Sequence, residues 1–190
     1  SETVTITGTN DTPTVSAALT DTSDEGSSSH VVNLLANASD VDLTDVLSVT
    51  GVTYSVNGAT ASGTAPAGVS LSGSSLTIDP TNAAFDSLAA GETKVIRVNY
   101  TVTDSKGGTV TTSETVTITG TNDRPTVSAA LTDTSDEGSS RHVVNLLANA
   151  SDVDLTDVLS VTGVTYSVNG ATTSGTAPAG VSLSGSSLTI

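Results

Sequence analysis

Acidic side chains are the residues of this chain whose types and spacing could do chemistry, with 20 Asp and Glu set against five Lys and Arg, a formal net charge of −15. They gather in turn-like stretches: Glu25 beside Gly26, Asp40 and Asp42 one residue apart, Asp79 and Asp86, Asp104 before Ser105-Lys106-Gly107-Gly108, and the pairs Asn10-Asp11 and Asn122-Asp123. Carboxylates brought together without lysine repel one another at neutral pH unless a cation sits among them. Calcium suits such a set, since it takes six to eight oxygens at about 2.3 to 2.6 Å and tolerates irregular geometry. Asp45 is read differently, as a turn former bonded to its own backbone.

Other chemistries find little support. There is no cysteine, so neither a disulfide nor a thiolate metal site is available. The two histidines, His30 and His142, occupy equivalent positions; the serines at 27–29 supply hydroxyls without an orienting acid that spacing can identify, and the chain reads as no enzyme. Lys94 or Lys106 could join an Asn or Asp in an intramolecular isopeptide bond, which a mass lower by about 17 or 18 Da would reveal, but a surface lysine is the ordinary reading. The acidic balance argues against nucleic acid and anionic membrane as partners. No signal peptide opens the sequence and no apolar run approaches membrane-spanning length, so an export address is expected outside this stretch.

The elements that must position the acids are set by repetition. Residues 1–78 recur as 113–190 with three changes, Thr12 to Arg124, Ser29 to Arg141 and Ala61 to Thr173, an offset of 112. That period is the size of a whole domain rather than of a solenoid coil. The expected organisation is a terminal strand of a preceding repeat at 1–10, a complete repeat at 11–122, and a second repeat at 123–190, truncated at its C-terminal end.

Within one period, alternating apolar residues and turn signals predict strands at 14–19, 30–35, 46–56, 59–64, 69–78, 94–103 and 109–119. Residues 21–29 and 36–45 read as loop, Asn57-Gly58 as a tight hairpin turn, and 83–88 as one short helical turn. Seven strands without helical periodicity predict an all-β, antiparallel β-sandwich. Alternating strand direction then sends the acids to the two ends of each unit. At the joint, Glu25, Asp79 or Asp86, Asn122 and Asp123 are expected to meet Asp152 and Asp154.

The same residues carry a resemblance. Asn-Asp-x-Pro at 10–13 and 122–125, the run from Leu34 to Asp42, and Tyr100 to Gly108 followed by Thr115 to Asp123 resemble the VCBS and cadherin-like tandem repeats of large, type I-secreted, RTX-type bacterial adhesins. That resemblance implies immunoglobulin- or cadherin-like sandwiches in tandem, forming an extended rod. It implies a calcium-rigidified stalk that projects adhesive domains from the cell in biofilm formation. The protein would be secreted to the bacterial surface, held at the outer membrane by regions outside this stretch, and monomeric, with neighbouring repeats of the same chain and calcium as partners and no direct membrane contact. Similarity to cadherins assigns metal contacts to Asp40 and Asp42, to Asp152 and Asp154, to Glu25, Asp86, Asn122 and Asp123, to the equivalent Asn10 and Asp11, and to Asp104 at the top of its own unit. A second acid beside Asp86 is missing, so fewer ions than the three of a cadherin joint are expected. A direct ligand-binding module for glycan, protein or ice is the alternative; near-identity of the copies, loops included, favours the spacer.

Overall fold

A computed structural model describes residues 1–190. The chain divides into two compact units, Ser1–Asn122 and Asp123–Ile190. The first unit has nine strands: β1 (Thr14–Val15), β2 (Leu19–Asp24), β3 (His30–Asn33), β4 (Ala38–Ser39), β5 (Ser48–Val56), β6 (Val69–Ser72), β7 (Ser75–Ile78), β8 (Thr93–Thr103) and β9 (Thr109–Thr119). They form a four-stranded sheet in the order β2-β9-β8-β5, a three-stranded sheet β3-β7-β6, and the short pair β1-β4.

Period-two alternation explains how the two larger sheets close on each other. Ile96, Val98, Tyr100 and Val102 of β8 and Val116 and Ile118 of β9 point inward, and they pack with Leu34, Val69, Leu76 and Ile78 from the opposite side in one core. Aromatic area is scarce, so each large ring has a fixed task. Phe85 is fully buried, and the hydroxyl of Tyr100 donates to the carbonyl of Leu34 at 2.8 Å, tying the sheets together.

The structure revises several expectations about elements. The first strand is divided: β1 pairs with β4 and β2 crosses to pair with β9, so residues 21–24, expected in a loop, lie in a strand. The β2–β9 pairing is parallel, the one exception among the strand pairs to the expected antiparallel arrangement. The 69–78 segment is two strands, because Gly73 at φ 60° turns the chain and folds β6 onto β7. Residues 59–64 contribute only an isolated bridge, Ser62 to Tyr54, and residues 83–88 form no helix. Asn57 and Gly58 do adopt positive φ, 49° and 76°, as a type I′ turn requires. A register shift between Thr50 and Thr53 bulges β5.

Residues 1–10 carry no strand, although 113–122 have the same sequence and include most of β9. Context makes the difference: β9 has a neighbour on each side, whereas Val4 and Ile6 are 76% and 90% exposed. The second unit comprises β10 (Thr126–Val127), β11 (Val143–Asn145), β12 (Ala150–Ser151), β13 (Ser182–Ser184) and β14 (Ser187–Thr189), paired β10-β12 and β11-β14-β13. These pairings repeat those of β1 with β4 and of β3, β7 and β6. No helix is long and apolar enough to cross a membrane.

Candidate metal centre

Asp104 is placed by the turn between β8 and β9. Ser105 and Gly107 take positive φ, 68° and 112°, which curls the backbone so that the N–H groups of Lys106, Gly107 and Gly108 all donate to Asp104 Oδ1, at 2.7, 3.0 and 3.0 Å. Gly108 is required for close approach, since a Cβ there would lie 2.1 Å from Asp104 Oδ2. Asn10 Nδ2 donates to that same Oδ2 at 2.9 Å. Asp104 is fully buried, and its carboxyl is held below the usual carboxylate range by the Asn10 amide first and by the three backbone N–H groups, against the opposing effect of burial.

The loop after β4 brings further acids to the same end of the unit. Asp40 Oδ1 accepts the N–H of Asp42 at 2.9 Å, the carbonyl of Asp42 accepts the N–H of Asp45 at 2.9 Å, and Asp42 Oδ2 accepts the N–H of Asp11 at 2.8 Å. These bonds fold the loop so that carboxylate oxygens of Asp40, Asp45 and Asp104 all lie within 4.8 Å of one another. Asp40 Oδ2 and Asp45 Oδ2 are buried with no hydrogen-bond partner. The side chain of Asp45 is 3% exposed, and its Oδ1 lies 3.8 Å from Lys106 Nζ. A cavity of about 290 Å³ opens beside them, its wall including Asn10, Asp42, Thr44, Asp45 and Lys106.

Three carboxylates with one ammonium, on the Asp45 side, leave a local charge of about −2. Two of their oxygens point at no donor. A hard divalent cation with oxygen preference fits that donor set.

Of the residues singled out from sequence, the first unit thus brings Asn10, Asp40 and Asp104 together, places Asp42 on the cavity wall, and uses the main chain of Asp11. Asp45 corrects the turn reading: its backbone makes the turn, but its side chain does not bond to its own backbone and enters the cluster instead. Lys106 and Gly108 also belong to the centre. Their signal was present in Asp-Ser-Lys-Gly-Gly, a run that an Asp needs if it is to accept several successive N–H groups.

At the other end of the first unit, Glu25 is 9% exposed, and its Oε2 accepts the N–H of Thr121 at 3.0 Å. Asp79 bonds within its own turn to the N–H and hydroxyl of Thr81, while Asp86 and Asn122 are exposed. In the second unit, Asp154 Oδ2 accepts the N–H of Asp123 at 2.8 Å and Asp152 Oδ1 accepts that of Asp154 at 3.2 Å. Asp154 is buried, with its Oδ1 unpartnered. The loop hydrogen bonds of the first unit are therefore rebuilt in the second.

Residues 10–119 match the family described as bacterial Ig domain. No curated protein matches the chain.

Proposed function

Because the chain belongs to the bacterial Ig domain family, a family not associated with catalysis, we propose that its units are structural repeats of a bacterial surface adhesin, an extender stalk stiffened by calcium. The observation that carries this reading is the Asp40–Asp45–Asp104 cluster with its two orphaned oxygens. Asn10 and Asp42, beside that cluster, complete the proposed ligand set. Glu25, Asn122, Asp123, Asp152, Asp154 and Asp11 stay in the proposal as calcium ligands on the strength of the repeated sequence, and Asp86 on the resemblance to cadherins alone. Calcium would supply the positive charge that lets clustered carboxylates remain ionised while buried.

The near-identity of the copies supports a spacer, since a unit specialised for recognition would have diverged from its neighbour. Secretion through a type I, RTX-type route, anchorage at the cell surface, a role in biofilm formation, a monomeric state and partnership with neighbouring repeats belong to the same proposal.

Calorimetry of the 190-residue chain, in calcium and in chelator, tests it. With calcium at about a hundredfold its dissociation constant, binding to the folded form alone contributes about 2.7 kcal/mol, so the melting temperature should rise by several degrees. Magnesium should substitute poorly. Identical melting curves in calcium and chelator would exclude the calcium reading. Scattering from arrays of increasing copy number should show length growing in proportion.

The alternative, direct ligand binding, has one observation in its favour. A cavity of about 410 Å³ on the four-stranded sheet is lined by Arg97, Asn99, Thr101, Thr111 and Ser113 among others, polar groups able to meet a sugar. A glycan array on the same chain separates the two readings.

A further inference from the structure

Glu114 lies in β9 with its side chain turned inward, fully buried, and neither carboxylate oxygen has a hydrogen-bond partner. The next strand, β2, runs parallel to β9 and pairs Leu19 with Glu114 and Asp21 with Val116. Asp21 therefore shares the inward face with Glu114, two positions along. Asp21 Oδ2 in turn pairs with Nε2 of His30 at 2.5 Å. Since His30 begins β3 of the other sheet, this contact closes the sandwich at the β2 edge.

The remaining neighbours add no countercharge. β8 faces Glu114 with Val98 and Tyr100, whereas Arg97 points to the opposite face and bonds to Asn99 and Ser113. The inward residues of β6 and β7 are apolar, and β5 contributes Tyr54 with Val49, Val52 and Val56. The buried Glu114 carboxyl thus has as neighbours one carboxyl and one imidazole that are themselves partly exposed at the β2 edge.

Their strand pair is also the one that carries load when the unit is stretched. The chain enters before β2 and leaves after β9, so tension on the two termini pulls these parallel strands in opposite directions along their own axes. Six paired positions, extended by the bond from Glu25 N–H to the carbonyl of Thr119 at 2.8 Å, then resist together, whereas β1 and β4 share only two.

We propose that Glu114, with Asp21 beside it, makes the β2–β9 ladder a pH-dependent shear latch, firm while Glu114 is protonated and weakened when it ionises beside Asp21. Burial, and secondarily the charge of Asp21, pushes the Glu114 carboxyl up to about 7. Between its unfolded value of about 4.5 and that folded value, the folded chain holds a proton that the unfolded chain has released. Stability therefore falls as pH rises through this window and levels off above it. The latch is a property of the first unit and does not require calcium; its use in a stalk under tension rests on the function proposed above.

The test is force spectroscopy on the whole 190-residue chain held by its termini, at about pH 5 and about pH 8, in calcium and in chelator. One pKa unit corresponds to tenfold in population, so the unfolding rate of the first unit at fixed load should rise by roughly tenfold or more at the higher pH, in both media. E114Q should remove that rise, and D21N should move its midpoint to lower pH. His30→Gln should leave the midpoint in place. Equal rates at the two pH values, or a rise retained in E114Q or abolished only by H30Q, overturn the latch. If E114Q does not fold, the carboxyl carbon-13 titration of the parent decides, a midpoint below about 5 overturning the proposal. A calcium-independent melting temperature with the pH effect intact would sink the stalk reading and leave the latch standing.

Discussion

Asn10 and Asp104 are 94 residues apart in sequence, yet Asn10 Nδ2 donates to Asp104 Oδ2 at 2.9 Å, so the segment entering the first unit is fastened to the turn between its two longest strands. The bond also favours the ionised form of Asp104, because it is the first cause of the depressed pKa of that carboxyl. A carboxyl so depressed contributes stability above its unfolded value near 3.8 and loses it as pH falls through the lower folded value. In chelator, Asn10→Ala should therefore shift the acid-unfolding transition of the first unit to higher pH. An unchanged acid transition would show that the bond contributes nothing to the fold.

Gly108 can be probed independently of charge. Its N–H feeds Asp104 Oδ1, and a methyl group at its Cα would overlap Asp104 Oδ2. Gly108→Ala should destabilise the first unit by about 1–3 kcal/mol, the usual cost of forcing an atom into a packed site, and should weaken calcium binding as Asp104 is displaced. Urea unfolding and isothermal calorimetry on one sample measure both effects. A variant as stable as the parent would mean that the turn relaxes freely.

Tyr100→Phe tests the link between the sheets. The hydroxyl is buried and its pKa is raised to about 12, by burial first and then by Glu114, so it remains a donor throughout the physiological range. Its removal leaves the Leu34 carbonyl without that partner inside the core, at a cost of about 1–3 kcal/mol. The urea midpoint should fall with little change in slope.

How much of this was legible depended on whether a local preference or a distant partner decides each element. β8 was clear because Ile96, Val98, Tyr100 and Val102 alternate with polar residues over the whole strand, and Asn57-Gly58 because positive φ at both positions is a local demand. β2 was hidden, since Leu-Thr-Asp-Thr-Ser-Asp is composed largely of turn formers and is held extended by β9. The β6–β7 turn was hidden too, for Ser-Gly-Ser-Ser between short strands reads equally as an interruption. At the metal centre, the acidic loops were evident, but which acids converge was not. Asp45 and Asp42 are both three residues or fewer from a neighbouring acid, and only the fold decides which one turns inward.

That choice yields the most discriminating test. Asp42 spends Oδ2 on the N–H of Asp11, a bond that an asparagine carbonyl oxygen can also accept, so D42N should lower calcium affinity less than D45N does. Asp45 has an orphaned Oδ2 and a nearly fully buried side chain among the carboxylates of Asp40 and Asp104. D45N removes one of three charges that the ion would neutralise, and affinity should fall by tenfold or more. The same substitution should act oppositely in chelator. There the three carboxylates repel one another with only the largely exposed Lys106 ammonium nearby, and an amide at position 45 relieves that repulsion while offering an N–H to its neighbours. D45N is therefore expected to melt above the parent in chelator and below it in saturating calcium, a crossing that loss of packing alone does not produce. Differential scanning calorimetry of the parent, D42N and D45N in both media reads it directly. Parent-like calcium affinity in D45N would falsify the assignment of Asp45 to the centre, and a larger loss in D42N would move the ion toward the cavity wall.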